Sequence, residues 1–135
     1  MSFKLVKHDI YTGNPPLVYQ YKMTDNEAAT LGEALIVSSG RLTAATGSNV
    51  PEWIAGASVA AATASTTVVP VYHVNEEQVF KTTSTGSIVA TAIGNKYQLH
   101  TTGLQINTTT ASGIFTVLTT DANTASSTVT GYFRR

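Results

Sequence analysis

Threonine occurs 23 times in this 135-residue chain and serine 11 times, mostly beside short runs of Val, Ile, Leu or Ala. Thr is β-branched and stiff at χ1, which suits the pleated, half-buried surface of a sheet, while its hydroxyl stays available to water. A chain built this way is expected to fold into strands whose outward positions carry hydroxyls in place of charges. The charged fraction agrees, since 12% of residues are Asp, Glu, Lys or Arg, against about 25% in an ordinary soluble domain.

The length is one domain's worth, enough to bury a core without cross-links. With no Cys, thiol catalysis, Fe–S clusters and Cys-based zinc sites are excluded. Eight basic side chains balance eight acidic ones, so there is no positive field to neutralise phosphates, and nucleic acid is not an expected partner. No stretch reaches the roughly 20 predominantly apolar residues of a membrane-spanning helix. The start, Met1-Ser2-Phe3-Lys4-Leu5-Val6-Lys7, carries charge where an export signal would be apolar, so synthesis in the cytoplasm is expected. A neutral surface also repels its neighbours weakly, which suits an assembly component.

Two regions separate along the chain. Residues 1–25 read as an N-terminal arm: a weakly alternating segment at 3–8, a break at Tyr11-Thr12-Gly13-Asn14-Pro15-Pro16, then an extended run at 17–23. The arm pairs either with another protein or, as an edge strand, with its own domain. Residues 26–135 read as a β-domain with an internal joint near 83–87, Thr-Ser-Thr-Gly-Ser. Thr24-Asp25-Asn26-Glu27 has the spacing of a helix capping box and predicts at most one or two helical turns before Gly32. Ala34–Ser38 and Arg41–Ala44 flank Ser39-Gly40 and predict a hairpin. Further strands are expected at 53–60, where Gly56 marks a bulge or close backbone approach, and at 66–74, where Pro70 implies an edge or bulge. More follow at 78–82, 103–108, 113–119 and 128–133. Strands at about ten-residue intervals make the fold class all-β, a small barrel or sandwich.

Catalytic patterns are missing. His8, His73 and His100 stand in separate segments without zinc-ligand spacing, and Glu76-Glu77, being adjacent, cannot converge on one substrate from a strand. There is no Gly-x-Ser-x-Gly elbow and no phosphate-binding Gly loop. Neither enzymatic activity nor a cofactor or metal is therefore expected. Tyr11, Tyr19 and Tyr21 cluster in the arm, where they offer large apolar area with a wet hydroxyl, as interface tyrosines do. The alternative is that Tyr19 and Tyr21 pack on their own sheet.

The run Gly32-Glu33-Ala34-Leu35-Ile36-Val37-Ser38-Ser39-Gly40-Arg41-Leu42-Thr43, followed by Thr46-Gly47-Ser48-Asn49, by 54–59 and by 66–72, resembles the head decoration (capsid cement) proteins of tailed bacteriophages, the lambda type included. The likeness covers residues 31–82. It implies a β-rich virion protein on the capsid exterior that stabilises the shell, with the major capsid protein as partner, trimers at three-fold sites and an N-terminal arm pairing with capsid strands. The residues expected to contact the capsid are Lys4, Lys7 and Lys22 against acidic surface, Tyr11, Tyr19 and Tyr21 for apolar contact, and Pro15 and Pro16 holding the arm extended. On this view, removing residues 1–22 leaves the domain folded. A second expectation is a carbohydrate- or receptor-binding sandwich of a tail fibre or adhesin, its groove lined by Tyr97, Phe115, Tyr132 and Phe133.

Overall fold

A computed structural model describes residues 2–7, 18–62 and 68–134. The strands are β1 (Lys4–Lys7), β2 (Val18–Lys22), β3 (Ala34–Ser38), β4 (Arg41–Ala44), β5 (Trp53–Ala55), β6 (Val68–His73), β7 (Val79–Thr83), β8 (Lys96–Tyr97), β9 (Phe115–Thr120) and β10 (Thr128–Phe133). They form two five-stranded antiparallel sheets, β1-β7-β10-β9-β8 and β2-β6-β5-β3-β4. The only helical element among the described residues is a 3₁₀ turn at Ala90–Ala92. The all-β sandwich expected from the Thr-rich runs is the fold observed.

The second sheet grows from a local hairpin. Ser39 and Gly40 both take positive φ, 51° and 76°, the pairing a two-residue turn needs to match strand twist. Register then runs Ser38↔Arg41 to Leu35↔Ala44. Side chains alternate across this sheet, so Ala34 and Ile54 face the first sheet while Leu35, Trp53 and Ala55 face the other way. That other face carries its own apolar cluster of Met23, Leu42, Val69 and Val71. It is enclosed because Met23 bridges Leu42 and the Thr24 amide and hydroxyl both donate to the Leu42 carbonyl, at 2.9 and 3.0 Å. The opposite edges of the sheet, β2 and β4, thus meet at one end.

The main core lies between the sheets. Phe3, Phe80, Phe115 and Phe133 are all the phenylalanines of the chain, and each is at most 1% exposed. Their rings pack edge-on or tilted, with centroids 4.9 to 6.5 Å apart, the geometry aromatic quadrupoles favour. On β10, buried Val129, Gly131 and Phe133 alternate with half-buried Thr128, Thr130 and Tyr132. Threonine therefore lines the outer face of β10, as its β-propensity and hydroxyl suggested.

Of the two pairings open to the arm, its described parts take the second: β1 and β2 are edge strands of the molecule's own two sheets, pairing with β7 and β6. Other expectations need correcting. The Thr24-x-x-Glu27 spacing makes a turn without a helix, because the Glu27 carboxylate reaches β4 and accepts from the Thr43 hydroxyl (2.9 Å) and the Ala44 amide (2.9 Å). Pro70 lies in β6, which has neighbours on both sides. Its missing N–H is tolerated because β5 ends at Ala55, and beyond that point only the Gly56 amide meets the Pro70 carbonyl, at 2.7 Å. A side chain at Gly56 would put Cβ 3.1 Å from that carbonyl oxygen, so Gly56 is the close approach expected of it. Residues 103–108 form no strand: Ile106 only bridges Ser84 and Leu99. The 83–87 stretch is held at Ser84, which is 1% exposed and donates its amide to the Ser127 carbonyl at 2.9 Å.

Candidate functional site

The eight residues expected to contact a partner fall in three places. Lys4 and Lys7 belong to β1 in the first sheet. Tyr19, Tyr21 and Lys22 belong to β2 in the second. Tyr11, Pro15 and Pro16 lie outside the described residues. The described members of the expected arm surface thus lie on two different sheets.

The first surface is aromatic. Register pairs Tyr19 with Val71, Tyr21 with Val69 and Trp53 with His73, and directly opposed residues share a face. Trp53 is therefore ringed by Tyr21 at 4.9 Å, His73 at 5.1 Å and Tyr19 at 5.3 Å between centroids. Tyr19 and Tyr21 remain 43% and 38% exposed, whereas Trp53 is 8% exposed. The tyrosines do pack on their own sheet, yet they keep enough free surface to contact a partner. The Trp53 indole N–H is buried without a hydrogen-bond acceptor among the described residues. Trp53 and His73 were not among the expected contact residues. Alternation along β6 carried the available signal, since residues 69, 71 and 73 share a face.

The second surface is cationic. Lys4 of β1 and Lys81 of β7 stand directly opposite each other, both exposed. With Ser2, Thr82, Thr83 and Thr128 they line a depression of about 200 Å³. Lys81 lies far along the chain from the arm, and no local pattern links it to Lys4.

Elsewhere the polar groups do structural work. Glu33 is 7% exposed, and its pKa is pushed up to about 7 by burial first and by the neighbouring Glu27 carboxylate second, against a lowering hydrogen bond from the Thr30 amide. One of its carboxylate oxygens has no hydrogen-bond partner among the described residues. Asp121 is held below the usual carboxylate range by the amides of Asn123 and Thr128 in the 121–127 loop. Among the described residues, no three His, Cys, Asp or Glu come together to hold a metal ion. Glu76 and Glu77 sit exposed in the turn before β7.

The aromatic groove drawn from Tyr97, Phe115, Tyr132 and Phe133 does not form. Tyr97, Phe115 and Phe133 are 6%, 0% and 0% exposed, because their positions alternate into the core, and only Tyr132 reaches the outer face. No helix among the described residues is long and apolar enough to cross a membrane. Comparison of the chain with protein-family models, with curated proteins and with solved structures gives no match.

Proposed function

We propose that the protein is a non-enzymatic structural component of a tailed-phage virion, which binds the capsid exterior and stabilises the shell. The single observation that carries this reading is the Tyr19–Tyr21 pair, half exposed on an edge strand and braced against buried Trp53. Rigid aromatic anchors at a surface are what interface hot spots are made of, because they offer large area at low entropic cost. The low net charge supports it, since a neutral protein repels a closely packed neighbour weakly. The resemblance at 31–82 supplies the identity of the partner, the major capsid protein, and the trimeric arrangement.

Mechanistically, β2 pairs with only β6 along most of its length among the described residues, so its second edge offers backbone groups to a capsid strand. Tyr19 and Tyr21 then lie beside the added strand's side chains. A ligand that binds the assembled shell and not its loose subunits stabilises the shell by mass action. Co-sedimentation with expanded heads of the source phage tests this. The intact protein is expected in the head fraction, and a Tyr19→Ser, Tyr21→Ser double variant in the supernatant with its fold intact. Equal binding by the double variant, or none by the intact protein, overturns the proposal.

The exposure of Tyr19 and Tyr21 also favours a second reading, a carbohydrate-binding sandwich, because sugar rings stack on aromatic side chains. Specific hits on a glycan array that vanish in the same double variant would favour it over capsid binding.

A further inference from the structure

Lys4 and Lys81 occupy directly opposed positions on neighbouring strands, where like charges repel and weaken the pairing. Sheets usually place an acid or a neutral residue at such a position. Here Lys81 is followed across the sheet by Thr130 and then Thr119, so no carboxylate stands next to the pair in its own row. Neither lysine lies within ion-pair distance of a carboxylate among the described residues. In the β9–β10 loop, Asp121 Oδ1 accepts from the amides of Asn123 and Thr128. Two like charges opposed across a strand pair disfavour that pairing, and an anion placed between them would relieve the repulsion.

We propose that Lys4 and Lys81 form an anion-binding site on the outer face of the first sheet, and that its occupant is an acidic stretch of a partner polypeptide. Charge complementarity selects the anion. Three further observations select a peptide over a free ion. The depression of about 200 Å³ is roomier than a single ion requires and has space for a side chain. Its walls are the hydroxyl-bearing residues Ser2, Thr83 and Thr128, which suit a carboxylate with a polar neighbour. Finally, β1 is an edge strand, so an extended segment lying beside it brings a side chain to cross-strand distance from Lys4. The site is separate from the Tyr19–Tyr21 surface and does not depend on the capsid reading.

Backbone amide NMR titration of the intact protein at fixed ionic strength tests it, with a hexaglutamate peptide in one arm and inorganic phosphate in the other. The expected result is saturable shifts confined to β1, β7 and the start of β10 with the peptide, and weaker, non-saturating ones with phosphate. Lys4→Gln and Lys81→Gln are each expected to weaken the peptide about threefold, the size of one exposed charge contact, and the double variant to abolish saturation. Both positions are exposed, and removing one charge relieves repulsion, so the variants remain folded and their spectra stay comparable. Unsaturable peptide shifts, shifts unchanged in the double variant, or phosphate binding as tightly as the peptide would each overturn the proposal.

Discussion

The ring of Phe3 lies 4.9 Å from that of Phe133, so the beginning of the chain and its last strand meet in the centre of the sandwich. Phe3 also touches Phe80 and Phe115, and its amide donates to the Gly32 carbonyl at 2.9 Å. The N-terminal segment is therefore part of the core and not a detachable appendage. Phe3→Ala is expected to cost about 3–5 kcal/mol, the usual loss for a buried Phe. Removing residues 1–22 takes away Phe3 and both edge strands and is expected to leave the chain unfolded at 37 °C. Urea denaturation followed by circular dichroism checks both, and a truncated chain with a native-like cooperative melt would contradict this account.

Gly131 sits on β10 at an irregularity in the pairing with β9. A Cβ built there lands on the Thr116 carbonyl oxygen and the edge of the Phe115 ring, inside van der Waals contact. Neither the backbone nor a ring buried on all sides can give way. Gly131→Ala is expected to destabilise by about 3 kcal/mol or more, at the upper end of overpacking effects. Its thermal midpoint, compared with that of the unaltered protein, is the measurement.

Stability depends on pH through Glu33. Its pKa rises from 4.5 in the unfolded chain to about 7 in the fold. Below 4.5 both states hold the proton and no penalty exists. Between 4.5 and about 7 the unfolded chain ionises first, so folding stability falls as pH rises, and above about 7 the whole penalty is present. After allowance for solvent screening it amounts to about 1–2 kcal/mol. Glu33→Gln is expected to flatten this part of the profile and to be the more stable protein at pH 8. Glu27→Gln should bring the Glu33 transition to lower pH by removing the neighbouring charge. Denaturation midpoints measured from pH 4 to pH 8.5 give the answer.

Trp53 is the only tryptophan, so its fluorescence reports on the aromatic surface directly. Tyr19→Ser and Tyr21→Ser each remove part of its cover. Red-shifted emission and faster acrylamide quenching are expected, largest in the double variant, with a stability loss of about 1–2 kcal/mol for the lost ring contacts. Unchanged emission would mean that the tyrosines do not shield Trp53.

Much of the fold was legible because its signals are local. Ser39-Gly40 between two apolar runs specified a hairpin, since only residues tolerating positive φ fit that turn. Alternation at 128–133 specified one buried and one hydroxylated face. The failures share a cause. Glu27 had the spacing of a helix cap, but a β4 amide and hydroxyl claimed its carboxylate. Pro70 signalled an edge, but the neighbouring strand simply ended beside it. In the first case a partner distant in sequence overrode a local preference; in the second, the end of a strand distant in sequence removed the need for the missing N–H.

Side-chain chemistry alone determined the class of this protein: threonine-rich runs with period-two alternation can bury a face only as strands, and few charges leave a neutral surface. Tertiary structure alone decided which strands are neighbours. That choice put Phe3 in the core, set Trp53 beneath Tyr19 and Tyr21, and placed Lys4 against Lys81. The reason is physical: strand periodicity is written into adjacent residues, whereas pairing and register are won by the arrangement that buries the most apolar surface across the whole chain.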